Sequence, residues 1–162
     1  DHLRDALFAR RRGIDATARI GFGVRYLDLT AQDSQAMVDG AIAETTYRAG
    51  RRHLERSVLK HFANAAKQVA TGRFKMVDAV DQLRRSREVV ALLHEMWPKV
   101  TAADVVDGVY AELGLEVRGE RSEHDAALLD EVEMLLGADP SANAPSAAPI
   151  RTTLDDALDR NT

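Results

Sequence analysis

Arg48, Arg52, Arg56 and Lys60 stand at successive i,i+4 spacings. On a helix this stacks four cations along one side, while Leu54, Val58 and Phe62 are offset by two residues, about 200° around the axis. A stripe of this kind meets phosphates or an acidic protein surface. The alternative is a solvated back face partly paired to nearby acids, because like charges at i,i+4 repel and an unneutralised stripe carries a small cost. Arg10 to Arg12, and Arg84 and Arg85 with Arg87, add further charge. Aromatic residues make up only 5% of the chain, and Phe62 and Trp97 read as packing groups, so a base-stacking platform for single strands is poorly supplied.

Residues for catalysis or metal binding are sparse. None of the five histidines (His2, His53, His61, His94, His124) lies at tight metal-ligand spacing with another. His53 and His61, two turns apart, cannot grip one ion from a single helix. The 162 residues include no cysteine, which removes disulfides, thiolate-bound metals and a thiol nucleophile and favours a reducing cytoplasm. No nucleophile elbow accompanies the Ser, His and acidic residues, and no Gly-x-x-x-x-Gly-Lys-Ser/Thr loop cradles nucleotide phosphates. Leu128-Leu129-Asp130-Glu131 looks like the end of a Walker B strand, with Asp near Mg²⁺ and Glu positioning water. The helical period through Leu136 instead makes both acids solvated helix residues. The expectation is a chain with no catalytic, cofactor or metal site of its own.

The elements that must carry these residues read as mainly α: an irregular helical domain with a small β-hairpin or extended arm. Leu3, Leu7 and Phe8 mark an opening helix, with Gly13 as its expected stop. From Arg19 to Thr30, Ile20, Phe22, Val24 and Tyr26 alternate and Leu27 and Leu29 fall out of phase, with Gly21 and Gly23 available for a turn or bulge. Thr30 and Asp33 form a near capping box before Met37, Val38, Ala41 and Ile42. A longer helix carries Leu54, Val58, Phe62, Ala66 and Val69. The next is expected to run unbroken from about Phe74 to Glu95 through Val77, Val80, Leu83, Val90 and Leu93, stopping before Pro98. Thr101 and Asp104 restart a helix through Val105, Val106, Val109, Tyr110 and Leu113 to Gly114. Ser122 to Asp125 cap another, bearing Leu128, Leu129, Val132, Leu135 and Leu136 before Gly137.

Charge divides along the chain. Residues 1–100 hold 18 Lys and Arg against 12 Asp and Glu, a net of +6, whereas residues 101–162 hold 4 against 14, a net of −10. Such asymmetry steers complementary surfaces together; equally, the two halves neutralise each other where they pack. Residues 1–137 read as the helical domain, 138–150 as an Ala/Pro/Ser linker, and 151–162 as a short acidic helix or a disordered tail. No uncharged run approaches the roughly 18–20 apolar residues of a membrane span, and no signal-peptide core is present. The start at Asp1 without Met is expected of a piece of a longer polypeptide or of a processed chain.

Five segments have a more specific pattern when taken in order. They are Gly21-Phe22-Gly23; Leu29-Thr30-Ala31-Gln32-Asp33-Ser34; Arg48-Ala49-Gly50-Arg51-Arg52; Met96-Trp97-Pro98-Lys99-Val100-Thr101; and Leu128-Leu129-Asp130-Glu131 with Leu135-Leu136-Gly137. Together they resemble an internal stretch of actinobacterial HelD proteins, helicase-like superfamily 1 ATPases that bind RNA polymerase. The resemblance covers nearly the whole chain up to Gly137. Its most specific parts are Trp97-Pro98-Lys99 with Thr101, and Leu29-Thr30 with Asp33-Ser34. The chain departs from the family pattern at Tyr47-Arg48, where His-Asn usually precedes Ala-Gly-Arg.

The resemblance implies a region inserted into the first motor domain that enters the nucleic-acid channel of RNA polymerase and helps hold the clamp open. DNA and RNA are then released and stalled enzyme is recycled. ATP and Mg²⁺ would belong to the motor domains of the parent chain, with none held by this fragment. The partner-facing candidates are Arg48, Arg52, Arg56 and Lys60, together with Asp155, Asp156 and Asp159, which would reach into a positively charged channel or else belong to an ordinary connector. The rival expectation is a nucleic-acid-backbone-binding accessory domain of a superfamily 1 DNA helicase, with the Arg48 to Lys60 stripe following the phosphates of DNA.

Overall fold

The computed structural model describes residues 2–115 and 123–139. Among them are seven helices and one antiparallel hairpin, a mainly α architecture with a small β element. In order these are α1 (His2–Phe8), β1 (Ala18–Phe22), β2 (Arg25–Leu29), α2 (Ala31–Ala41), α3 (Tyr47–Val69), α4 (Met76–Arg85), α5 (Arg87–Met96), α6 (Ala102–Glu112) and α7 (Glu123–Leu136).

The 23-residue α3 organises the core, with α2, β2, α4 and α7 packed on it. Its row of Leu54, Val58, Phe62, Ala63 and Ala66 is fully buried. Each large apolar side chain removed from water in this way contributes about 1.5–3 kcal/mol. Val69, expected on the same face, is partly exposed at the helix end.

The hairpin resolves the change of phase in its sequence. Phe22 pairs with Arg25 and Ile20 with Leu27, which leaves Gly23 and Val24 as a two-residue turn. Gly23 has φ +59, the first position of a type II′ turn, where glycine carries no steric penalty. Ile20, Leu27 and Leu29 face the core while Val24 and Tyr26 point outward. The backbone N–H of Gly21 donates to Glu88 at 2.6 Å, so this glycine links the hairpin to α5 and takes no part in the turn.

Several helix ends follow their side chains. Thr30 accepts the Asp33 N–H and caps α2. Thr101 and Asp104 form a complete capping box on α6, and these hydrogen bonds from Thr101 hold the Asp104 carboxyl below its usual range. α5 ends at Met96, one residue before Trp97-Pro98. At the end of α6, Gly114 (φ +69) and Leu115 donate to the carbonyls of Ala111 and Tyr110, a Schellman closure.

Two expectations are corrected. The helix predicted from Phe74 to Glu95 is broken at Ser86, which has extended backbone (φ −66, ψ 127), ends α4, and accepts the Val89 N–H to start α5. A serine side chain competes with helical hydrogen bonding and favours a cap. The break re-aims the buried face onto Ala79, Leu83, Val89, Leu92, Leu93 and Met96, and leaves Val77 and Val90 outside. Gly13 is also not a helix stop, since α1 ends at Phe8. It is buried where a Cβ would lie 2.7 Å from Gln35 Oε1 and 3.2 Å from Gln35 Cα, so it permits the close approach of two backbones. Nearby, the buried Ser34 hydroxyl accepts the Ile14 N–H and donates to the Ala31 carbonyl. Ser122 and residues 140–162, which include the expected tail and all but the first two residues of the expected linker, lie outside the described residues.

Candidate partner-binding surface

The Arg48 to Lys60 stripe is divided by the geometry of α3. An i,i+4 row drifts about 40° per step, so its ends diverge by about 120°. Arg48 is half-buried against α7, with Nη1 3.2 Å from Glu133 and donating to the Gly137 carbonyl. Arg52 donates to the Ala138 carbonyl at 3.5 Å. These two cations therefore hold the C-terminal end of α7, where helix carbonyls lack partners and positive charge is favoured. Arg56 and Lys60 are exposed and face α4.

Arg48→Ala is accordingly expected to cost about 2 kcal/mol of stability, in the range for hydrogen bonds to charged groups. Arg56→Ala and Lys60→Ala are expected to change it by less than about 0.5 kcal/mol. Urea unfolding of the three variants checks this difference.

Arg56 and Lys60 border a cleft of about 270 Å³ that also includes Leu59, Met76, Val80 and Arg84. Leu59 and Arg84 are shared with a larger groove of about 660 Å³ between α3, α4 and α5. That groove gathers Arg51, Arg84, Arg85, Arg87 and Lys99 around Leu59, Val90, Ala91 and Leu93, with Glu55 as its carboxylate. Arg84 approaches Glu55 at 3.8 Å and Asp81 at 3.7 Å. Arg85, Arg87 and Lys99 form no ion pair among the described residues. The two clefts make one continuous cationic face. Sequence spacing isolates only its α3 portion, because the other cations come from α4, α5 and the segment after Pro98.

Behind this face is a tight aromatic junction. Trp97 is fully buried with Tyr47 at a ring-centroid distance of 5.3 Å, and Phe8 meets Tyr47 edge-on at 5.6 Å. Arg51 Nε donates to the Trp97 carbonyl at 3.0 Å, and the Tyr47 hydroxyl donates to the Pro98 carbonyl at 2.9 Å. The Trp97 Nε1–H has no partner among the described residues, a cost of about 1–3 kcal/mol that the surrounding packing must offset. Desolvation lowers the Arg51 pKa from its ordinary value, and burial pushes the Tyr47 phenol up to about 12.

Tyr47 provides a pH test. Its folded-state pKa lies above the ordinary value of 10.0, so its contribution is complete below pH 10 and is lost as pH rises toward 12. Tyr47→Phe is expected to lose about 1 kcal/mol at neutral pH. Its stability curve should then meet the wild-type curve and pass above it between pH 10 and 12, as read by unfolding at stepped pH.

Two of the histidines, His53 and His61, serve as tethers. His53 Nδ1 lies 3.1 Å from Glu44 Oε1, and His61 Nε2 donates to the Asp28 carbonyl at 2.9 Å. His2 and Glu112 are 4.0 Å apart. Among the described residues no group of three or more His, Asp or Glu could hold a metal ion. Asp130 and Glu131 are exposed on α7, a helix where a Walker B pair would need a strand. α7 is joined to α6 by the Tyr110 hydroxyl donating to Asp125. Asp155, Asp156 and Asp159 lie outside the described residues. No described helix is long and apolar enough to cross a membrane.

No family model matches this chain, and no curated protein matches it.

Proposed function

We infer that this chain is the RNA polymerase-binding insertion module of a HelD-like ATPase, holding the polymerase clamp open so that nucleic acids leave and stalled enzyme is recycled. One observation carries the reading. Three of the segments that resemble HelD proteins, around Gly50, Trp97 and Gly137, are far apart in the sequence but meet in the fold. The Gly50 Cα faces the Trp97 ring, Arg51 holds the Trp97 backbone, and Gly137 packs on Thr46 beside the Arg48 hydrogen bond to its carbonyl. The Leu29 to Ser34 segment joins β2 to the cap of α2. Contacts of this kind tie the resembling segments into one scaffold, which supports the reading.

A rigid body suits the mechanism. A ligand shifts a clamp equilibrium only by binding the open state better. Moving the clamp from one-in-ten open to ten-to-one open needs a preference of about 100-fold, or ~2.7 kcal/mol. The module supplies a fixed shape and a cationic face, and ATP with Mg²⁺ is handled by the motor domains of the parent.

The second reading is direct binding to nucleic-acid backbone, favoured by the continuous cationic face from Lys60 to Lys99. Titrating the chain against core RNA polymerase and against duplex DNA, each across a salt series, separates the two. The polymerase reading expects binding to the enzyme with little binding to DNA. Binding to DNA alone, lost steeply as salt rises, would overturn it.

A further inference from the structure

We propose that the groove between α3, α4 and α5 binds this chain's own segment Leu154–Asp159 in cis. The groove requires a ligand that is anionic and apolar together. Arg85, Arg87 and Lys99 have no ion-pair partner among the described residues. Arg51, whose Nε donates to the Trp97 carbonyl, and Arg84, beside Glu55 and Asp81, line the same rim. The floor is formed by Leu59 and Leu93, and Val90 beside them is 52% exposed. A volume of about 660 Å³ is within the range of sites that enclose a small ligand or a short peptide stretch.

A phosphate backbone would satisfy the rim and leave Val90 against polar groups. The lining holds no Phe, Tyr or Trp on which a base would stack. An acidic peptide with apolar side chains satisfies rim and floor together, the recognition of acidic motifs by arginine clusters.

The chain contains such a peptide. Leu154-Asp155-Asp156-Ala157-Leu158-Asp159 sets three carboxylates among two leucines, with Arg151 and Arg160 outside the run. Its attachment point is favourable, because Arg52 donates to the Ala138 carbonyl and the next residue toward the N-terminus, Arg51, lines the groove. Ala138 to Leu154 is 16 residues, which span at most ~55 Å, whereas the α3 wall from Arg51 to Leu59 is about 12 Å long. The reach is ample, and tethering gives the segment an effective concentration on the order of millimolar. Contacts too weak to hold a free peptide therefore suffice. The inference stands whether or not the chain binds polymerase, and it gives a physical form to the charge division between the two parts of the sequence.

Because the chain has no cysteine, an Asn161→Cys variant takes a single nitroxide label. Amide resonances of the full isotopically enriched chain then report where the label resides. The expected result is at least a five-fold loss of intensity at Val90, Ala91 and His94 with α6 unaffected. That loss should be reversed by Asp155→Asn, Asp156→Asn and Asp159→Asn together, and by about 0.5 M salt, which screens charges beyond a few ångströms. No loss at the groove, or a loss insensitive to the three substitutions, would overturn the proposal. So would a loss that appears when labelled, unenriched chain is mixed with unlabelled, enriched chain, since the occupant would then be a second copy.

Discussion

Gly50→Ala is expected to lower the thermal midpoint by roughly 10 °C. A Cβ built on Gly50 would lie 2.5 Å and 2.6 Å from Trp97 Cζ2 and Cη2, and 3.1 Å from the Ala41 carbonyl. The ring has no room to retreat. It is fully buried beside Tyr47, and its backbone is held by Arg51 and by its own N–H donating to the Leu93 carbonyl. Overpacking a closed core costs about 1–3 kcal/mol and occasionally more, and about 3 kcal/mol at this chain length corresponds to roughly 10 °C. Gly40 makes the comparison decisive. It lies in α2 with nothing within 4 Å of a built Cβ, so Gly40→Ala is expected to stabilise by about 0.5–1 kcal/mol through helix propensity. Opposite signs for the same substitution in two helices would establish the Gly50–Trp97 contact. Trp97→Phe in the Gly50→Ala background should recover part of the loss by shortening the ring, a non-additivity that a double-mutant cycle measures. Equal, small effects at Gly40 and Gly50 would contradict the packing described here.

On the proposed polymerase-binding function, reversing Arg56 and Lys60 to Glu is expected to weaken binding to core RNA polymerase at least ten-fold at low salt, with the thermal midpoint moving by no more than about 2 °C. Both residues are exposed, and neither forms an ion pair among the described residues. Their removal therefore opens no cavity and strands no buried partner. A ten-fold loss is about 1.4 kcal/mol, a reasonable share for two reversed charges on an interface. Charges at an interface edge act mainly through association rate and salt dependence, so the defect should shrink as salt rises. Arg48→Ala has the opposite profile, with lost stability and near-normal affinity in the folded fraction. Unchanged affinity of the Arg56→Glu, Lys60→Glu variant at low salt would remove the stripe from the interface.

Much of the fold is legible locally. The caps at Thr30 and Thr101, the stop before Pro98, the Gly114 closure and the position of the hairpin each depend on residues within a few positions of one another. The features that sequence spacing misses are those made by distant partners or by subtle breaks. The apolar residues from Val77 to Leu93 keep a helical period across Ser86, and no Gly or Pro marks the point where α4 gives way to α5. Gly13 resembles a helix stop until Gln35, 22 residues away in sequence, is brought against it. The resemblance to HelD proteins includes both Gly50 and Trp97, yet only the packing of α3 against the end of α5 shows why each needs the other. The candidate surface divides in the same way. The i,i+4 row on α3 and its drift are readable from helix geometry, but what its two ends meet, α7 at Arg48 and α4 at Lys60, is set by tertiary packing. Joining Lys60 to Arg85, Arg87 and Lys99 depends on three elements meeting.

The proposed clamp opening is measured most directly as the clamp distance itself. Core RNA polymerase labelled with a fluorescence donor on the clamp and an acceptor across the channel reports that distance as energy transfer. Saturating addition of the chain is expected to shift the population toward low transfer, with Arg56→Glu, Lys60→Glu requiring at least ten-fold more protein for the same shift. A distribution that stays at its starting position while the chain is demonstrably bound would contradict the clamp-opening account.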